Sequence, residues 1–108
     1  MQKYKLEEMK LGWFIGDFDP NVFRTKDFEV AIKHYSAGDS EKSHFHMKAV
    51  EVTVIVSGSV RMNNETYKAG DIILINKNES TDFLALTDTI TCVVKSPSVI
   101  GDKHEVNE

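Results

Sequence analysis

Short runs of alternating residues, separated by turn signals, are the feature that most limits what this 108-residue chain can fold into. From residue 28 onward, apolar and β-branched residues recur with a period of two, as in strands that bury one face. Runs of this kind cover residues 28–35, 51–56, 60–62, 66–67, 72–75, 81–86 and 89–95. Helical periodicity is missing except for a weak turn at residues 5–10. The sequence therefore predicts an all-β sandwich or barrel.

Length, charge and cysteine content narrow the class of protein further. The chain suits one domain, residues 1–108, and its net charge of −4 does not provide the basic surface that nucleic acids require. Its apolar runs are far shorter than a membrane span, and the N-terminus lacks the apolar stretch of a signal peptide. The single cysteine, Cys92, cannot form an internal disulfide. We expect a cytoplasmic domain that binds neither nucleic acid nor membrane.

Two histidines and a glutamate are the strongest candidates for chemistry. His44 and His46 are two residues apart, so on a strand they project from one face with about 6.5–7 Å between their Cα atoms. Glu51 follows at an odd offset and joins them only if Lys48 and Ala49 form a turn or bulge that resets the alternation. Two imidazoles and a carboxylate suit Fe, Mn, Ni, Co or Zn as divalent ions. A lone His-x-His pair is more often a solvated loop, so the surrounding residues decide.

Glycines frame these residues at a recognisable spacing. The pattern G-x5-H-x-H-x4-E-x6-G runs from Gly38 to Gly58 and resembles the first motif of the cupin superfamily at all five positions. The resemblance implies a small jelly-roll β-barrel, a cupin-like double-stranded β-helix, over about residues 28–95. An aromatic N-terminal segment, residues 1–27, and a short polar C-terminal tail would lie outside it. The resemblance further implies a divalent metal ion inside the barrel, bound by the two histidines and Glu51.

The second cupin motif is degenerate in this chain. Gly70 and Asp71 begin it, but Asn76 replaces the usual proline, Asn78 the glycine and Thr81 the fourth metal-binding histidine. Asn78 can adopt the left-handed backbone of a turn glycine. Thr81 is a poor ligand for a divalent metal and at best hydrogen-bonds a metal-bound water. The ligand set that the resemblance implies is therefore incomplete.

Two residues are candidates for the fourth position. His34 shares a strand face with Phe28, Val30 and Ile32, which predicts that it points into the barrel as a ligand, a supporting group or a general base. A hydrogen-bonded interior histidine would show the same pattern. Asp82 alternates away from Thr81 and is the weaker candidate. Without either, two histidines and Glu51 form a facial triad suited to non-haem iron.

Further residues are candidates for contact with a substrate. Arg61 can bind a carboxylate or phosphate through two parallel hydrogen bonds. Thr81 and Phe83 share a strand face beside the expected metal site. The aromatic residues of the N-terminal segment are expected to cover one open end of the core or to make a dimer contact: Trp13, Phe14, Phe18 and Phe23.

Three functions are compatible with these residues. The first is a metal-dependent enzyme acting on a small molecule, of oxygenase or isomerase type, in which His34 or Glu51 moves protons. The second is a metal-independent isomerase or epimerase of sugar nucleotides, and the third is a non-catalytic module that binds a small ligand. The fold alone does not decide among them, so whether the protein is an enzyme stays open. The exposed edges of a small sandwich favour a homodimer.

Overall fold

The computed structural model describes residues 1–106, and in that part of the chain ten strands form two five-stranded antiparallel sheets. A short 3-10 helix, Leu6–Glu8, precedes all of them. The strands are β1 (Trp13–Ile15), β2 (Glu29–Tyr35), β3 (Ser40–His46), β4 (Val50–Ser57), β5 (Ser59–Met62), β6 (Glu65–Lys68), β7 (Ile72–Ile75), β8 (Thr81–Ala85), β9 (Thr89–Ser96) and β10 (Lys103–Glu105). The first sheet has the order β1-β2-β9-β4-β7 and the second β10-β3-β8-β5-β6. The all-β prediction is confirmed. Within residues 1–106 there is no helix with the length and hydropathy of a membrane-spanning segment.

Turns in the sequence end strands where predicted. Asn63 and Asn64 join β5 to β6 with φ values of 49° and 67°, the pair of positive values that a two-residue hairpin turn favours. Asn78 has a φ of 64°, the left-handed backbone expected of it. At Gly58, φ is 87° and a Cβ atom would lie 2.3 Å from the carbonyl oxygen of Asp88. Glycine is therefore required at that end of the motif.

The sheets extend beyond the predicted barrel at both ends of the chain. β1, within the N-terminal segment, pairs with β2, and β10, within the C-terminal tail, pairs with β3. Both segments were expected to lie outside the barrel, and that expectation is wrong for these six residues. Each strand has only three residues, so its alternation is too short to be read from sequence. The last two residues of the predicted tail, 107–108, lie outside the described residues.

The two sheets enclose an apolar core at one end of the barrel. Strands of both sheets contribute to it, and side chains alternate between the core and solvent along each strand. The buried cluster consists of Ile55, Val60, Met62, Ile75, Phe83 and Ala85. The inner faces of the same strands carry polar residues toward the other end, where the candidate site lies.

Candidate metal and ligand site

A cavity of about 220 Å³ lies between the sheets. The side chains around it include His44, His46, Glu51, Thr81 and Lys33. A larger depression of about 930 Å³ lies between the N-terminal segment, β2 and the start of β3, and it shares Leu11, Lys33, Tyr35 and Glu41 with the cavity. It contains neither His44 nor His46 nor Glu51. We therefore place the candidate site in the interior cavity, where the residues with chemical potential converge.

His44 and His46 are both buried, and their ring centroids are 5.3 Å apart. The Nδ1 atom of His44 lies 3.0 Å from the carbonyl oxygen of Lys42, and that of His46 lies 3.1 Å from the carbonyl oxygen of Asp102. Because a carbonyl only accepts hydrogen bonds, each Nδ1 carries a proton and each Nε2 keeps a lone pair when the ring is neutral. Burial lowers the pKa of His44, which favours that neutral ring.

Glu51 lies beside the histidines and is held at both carboxylate oxygens. Its Oε1 is 3.3 Å from Nε2 of His46, and its Oε2 accepts a 2.7 Å hydrogen bond from the hydroxyl of Thr53. Burial raises the pKa of Glu51, but the hydrogen bonds from His46 and Thr53 outweigh it, so the pKa lies below its usual value. The carboxylate is therefore ionised at neutral pH. Thr53 was not a sequence candidate, although its position two residues after Glu51 places both on one strand face.

The predicted reset between His46 and Glu51 is confirmed, and Asp102 holds it in place. The chain leaves the second sheet at His46 and enters the first at Val50. The buried carboxylate of Asp102 accepts hydrogen bonds from the amides of Met47, Lys48 and Ala49 at 3.0–3.2 Å. The carbonyl oxygen of the same residue accepts a hydrogen bond from Nδ1 of His46. Sequence analysis missed Asp102 because it lies more than 50 positions further along the chain.

The remaining sequence candidates are divided between the cavity and the surface. Thr81 is the cross-strand neighbour of His44 and lines the cavity, as does Phe83, whose ring packs 4.5 Å from that of Tyr35. Arg61 is exposed on β5 and does not line the cavity, so the expectation that it contacts a ligand there is wrong. Asp82 borders the cavity, but it is exposed and its carboxylate accepts a 2.8 Å hydrogen bond from the amide of Asn63, so it does not complete a ligand set.

The prediction that His34 points into the barrel is wrong. His34 is exposed, whereas Glu29 and Ala31 of the same strand are buried and Lys33 lines the cavity. The alternation of β2 was assigned to the wrong face because the outer face of the first sheet is itself apolar. Val30 and Ile32 lie there beside Val94 and Cys92 of β9. His34 is therefore not available to the interior site.

Charged residues on the first-sheet wall were missed through the same error. Glu29 accepts a 2.8 Å hydrogen bond from the hydroxyl of Ser98 and pairs with Lys95 at 2.9 Å. The ammonium groups of Lys33 and Lys95 lie 5.2 Å and 4.9 Å from the ring centroid of Trp13. Trp13 thus covers one side of the cavity, whereas the other aromatic residues of the N-terminal segment, Phe14, Phe18 and Phe23, do not line it. Reading β2 in the opposite phase would have identified Glu29 and Lys33.

The donor atoms at this site are of the types that bind divalent metal ions, but their side chains are not arranged around one common point. Among residues 1–106, no three His, Cys, Asp or Glu side chains are grouped closely enough to hold a metal ion as they stand. Glu51 contacts His46 directly instead. Since Nδ1 of His46 already donates, its Nε2 can face the Glu51 carboxylate favourably only as a second N–H or with a cation between them. Two such nitrogens and one carboxylate are ligands that divalent transition metals accept.

Comparison with known proteins places the fold. No protein-family model matches the chain, and no curated protein is significantly similar to it in sequence. An uncharacterized conserved protein with a double-stranded beta-helix domain from Klebsiella pneumoniae subsp. pneumoniae MGH 78578 is 22% identical, with a TM-score of 0.70 over 78% of this chain and 74% of that chain. An RmlC-like cupin from Shewanella frigidimarina NCIMB 400 is 18% identical, with a TM-score of 0.66 over 70% and 71%. The polyketide cyclase RemF from Streptomyces resistomycificus is 21% identical, with a TM-score of 0.65 over 78% and 63%. The chain therefore has a double-stranded β-helix fold, which it shares with these solved structures.

Proposed function

We propose that the protein is a metal-dependent enzyme that acts on a small molecule inside the barrel, with His44, His46 and Glu51 as the metal ligands. One observation carries the proposal: both imidazoles enter the same cavity with their Nδ1 atoms fixed by backbone carbonyls. This arrangement fixes the tautomer in which Nε2 can bind a metal. A bound Fe, Mn, Ni, Co or Zn ion would supply Lewis-acid or oxygen chemistry, of isomerase or oxygenase type. The similarity to RemF supports enzymatic use of this fold.

The protein's own side chains have separable roles in this proposal. Asp102 orients His46 through its carbonyl oxygen and fixes the turn that carries the chain to Glu51. Thr53 holds the second oxygen of Glu51 and so sets the direction of the first. The ionised carboxylate of Glu51 can also accept a proton from a substrate, since its pKa lies below neutrality. Thr81, beside His44, can hydrogen-bond a substrate oxygen or a water molecule.

A metal-independent isomerase is the second candidate, and the contact between His46 and Glu51 favours it. A carboxylate 3.3 Å from an imidazole is an arrangement used for proton transfer. Both nitrogens of His46 are already engaged, so His44 would have to act as the base through its Nε2 atom. The cavity of about 220 Å³ is too small for a whole sugar nucleotide, so only the sugar ring could enter.

Turnover with and without metal separates these functions. The protein would be treated with EDTA, reloaded anaerobically with each divalent metal in turn, and incubated with small hydroxy and keto acids, sugar phosphates and nucleotide sugars. Turnover that EDTA abolishes and that the His44→Ala variant lacks is the expected result. The His34→Ala variant serves as the matched control and should retain activity. Turnover that persists in EDTA would favour the isomerase, and unreactive binding would favour a ligand-binding module.

We also propose that the protein is a homodimer formed through the outer face of the first sheet. Besides His34, the register and alternation of the strands place ten apolar side chains on that face: Val30, Ile32, Val52, Val54, Val56, Ile72, Leu74, Ile90, Cys92 and Val94. Ile72 and Leu74 are 68% and 58% exposed. Five strands form a face about 20 Å wide and about 25 Å long, close to the scale of a standard interface. A second copy can cover such an apolar face by two-fold packing.

Solution mass measurements test the dimer. Leu74→Glu places a charge in the centre of an apolar contact and should convert a dimer to a monomer in light scattering coupled to size exclusion. Ile100→Glu is the control, because Ile100 is 79% exposed but lies in the loop before β10. A monomeric wild-type protein at micromolar concentration would contradict the proposal. We further propose that the protein is cytoplasmic, where a reducing environment keeps the half-buried thiol of Cys92 free.

A further inference from the structure

We infer that this cavity binds a small anion and that Lys33 and Thr91 form the pair that holds its carboxylate or phosphate group. The inference deepens the proposed function, since it assigns a substrate class to the same cavity. It depends on residues of β2 and β9, none of which is a proposed metal ligand. The charge balance of the cavity, an unpaired hydroxyl and the shape of the first-sheet wall support it independently.

Lys33 is the cavity cation that no carboxylate neutralises. Among residues 1–106, no carboxylate oxygen lies within 4 Å of its ammonium group. Lys95, the other ammonium beside Trp13, is paired with Glu29 at 2.9 Å. Glu41 also lines the cavity, but its nearest cation is Lys103 at 3.8 Å. A charge that is partly removed from water and makes no ion pair within the described part of the chain favours an anionic ligand.

The surroundings of Lys33 support that reading. Burial lowers its pKa most, and the nearby charges of Lys103 and Lys95 lower it further. Glu41 and Glu51 raise the pKa, but the net shift is downward. An anion bound beside this ammonium group would offset the cost of desolvating Lys33 and would reduce the repulsion between the lysines. The face of the Trp13 ring, 5.2 Å away, supports the cation without neutralising it.

Thr91 carries an unpaired hydroxyl in the same wall. Its side chain is 1% exposed, and its Oγ1 atom is the one buried side-chain oxygen or nitrogen in residues 1–106 that has no hydrogen-bond partner. An unpaired buried hydroxyl destabilises a protein unless a ligand or water completes it. Thr91 lines the cavity and lies directly across from Lys33 in the β2–β9 register. An ammonium group and a hydroxyl on adjacent strands are donors that one oxyanion can use together.

The rows of residues across the first sheet explain why there is space for a ligand. Glu29, Lys95 and Glu51 form one row, and Lys33, Thr91 and Ile55 form another. On the three central strands, β2, β9 and β4, the row between them has only the small side chains of Ala31, Val93 and Thr53. Trp13 and Ile73 stand at the two ends of this row. The resulting cavity of about 220 Å³ has the volume of about seven water molecules. A compact acid of roughly ten non-hydrogen atoms or fewer fits this volume.

The chain contains one tryptophan, Trp13, and its fluorescence reports directly on this site. Metal-free protein in EDTA would be titrated with acetate, malonate and inorganic phosphate, and with the neutral analogues acetamide and malonamide. We expect a saturable change with the anions and none with the amides. Whether malonate or phosphate binds more tightly then separates carboxylate from phosphate recognition. Lys33→Met should weaken anion binding at least tenfold, and Thr91→Val about three- to tenfold.

Controls separate binding from folding. Lys42→Met removes an exposed lysine of β3 and should bind anions as the wild type does. Thr91→Val removes the unpaired hydroxyl without changing the shape of the side chain, so its melting temperature should equal or exceed that of the wild type. Reduced anion binding in a variant that is at least as stable cannot be explained by misfolding. Far-ultraviolet circular dichroism and thermal melts would check Lys33→Met in the same way.

The same titrations distinguish this inference from the metal proposal. Anion binding that persists in a His44→Ala/His46→Ala variant and is lost in Lys33→Met supports the Lys33–Thr91 site whether or not metal binds. Equal binding by the wild type and Lys33→Met, an equal response to the amides, or no response to any anion would overturn it. A response confined to metal-loaded protein and unchanged in Lys33→Met would also overturn it, while leaving the metal site supported.

Discussion

The two ends of the barrel interior are built from the same strands but have opposite character. β4 directs Glu51 and Thr53 into the cavity and Ile55 into the apolar core, and β8 directs Thr81 to the cavity and Ala85 to the core. Burial of the apolar end stabilises the fold, whereas each polar group at the other end must be compensated by a partner. The difference teaches that stability and chemistry can be changed separately along a single strand.

The largest loss of stability is expected at the apolar end. Ile55 is fully buried, so Ile55→Ala removes packed methyl groups and should reduce the free energy of unfolding by about 3–4 kcal/mol. Val106→Ala is the control, since Val106 is 40% exposed and lies outside the proposed dimer face. Urea unfolding of the two variants measures the contrast. Equal losses in both would contradict the assignment of the core.

At the polar end, the largest effect is expected at Asp102. Asp102→Ala leaves three amides of the turn after β3 without their charged acceptor and should reduce the free energy of unfolding by about 2–3 kcal/mol. Metal affinity should fall as well, because His46 and Glu51 flank this turn. Asp88→Ala is a control in another loop, where the carboxylate accepts a single hydrogen bond from the amide of Ala37. An Asp102→Ala variant as stable as the wild type would contradict the account of the turn.

Lowering the pH should remove the stability that the Asp102 carboxylate contributes. Burial raises its pKa, but the amides of Lys48, Ala49 and Met47 outweigh burial and keep the pKa below its usual 3.8. The unfolded chain therefore takes up the proton at a higher pH than the folded chain does. The stability that Asp102 contributes is present above about pH 4 and is lost as pH falls through the folded-state pKa. The difference in unfolding free energy between the wild type and Asp102→Asn should narrow over that range. A difference in unfolding free energy between these two proteins that stays constant from pH 6 to pH 2.5 would contradict the lowered pKa of Asp102.

A smaller effect is expected from substitution of Thr53, which lines the cavity and donates a hydrogen bond to Glu51. Thr53→Val removes the 2.7 Å hydrogen bond while keeping the shape of the side chain. The unfolding free energy should change by about 1 kcal/mol or less, and metal affinity should fall severalfold because Glu51 loses its orientation. Calorimetric titration with Zn²⁺ measures the affinity. Thr66→Val, on an exposed strand position, should leave it unchanged.

The smallest effect is expected from His34, which belongs to neither end of the interior. Because its side chain is exposed on the outer face of the first sheet, His34→Ala should change metal affinity less than twofold and stability by no more than about 0.5 kcal/mol. Metal content and a urea titration measure both quantities. Loss of metal in this variant would restore the sequence-based assignment of His34 to the site.

These residues show which parts of the site could be predicted from sequence. The His44, His46 and Glu51 group and its turn are local, since eight residues and a spacing argument contain them. The hairpin at Asn63 and Asn64 is local for the same reason, because φ is set by the residues themselves. Short-range patterns therefore predicted the strands, several turns and the clustering of the candidate ligands.

The failures have a common physical origin in long-range contacts. His34 was placed inside because the outer face of β2 carries the apolar residues Val30 and Ile32, and alternation cannot tell a core from an uncovered outer face. Asp102 reaches the turn after β3 from a distant loop, which no local pattern reveals. Lys33 was not identified for the same reason as His34. The groups that compensate buried charge are thus the least predictable part of the site.

Metal stoichiometry tests the central claim most directly. Wild-type protein, His34→Ala and the His44→Ala/His46→Ala double variant would be stripped with EDTA, reconstituted anaerobically with Fe, Mn, Co, Ni and Zn in turn, desalted and analysed by inductively coupled plasma mass spectrometry. The account predicts about one metal ion per chain in the wild type and in His34→Ala, and none in the double variant. A wild-type protein that retains no metal, or a double variant that retains as much as the wild type, would contradict a metal site on these residues.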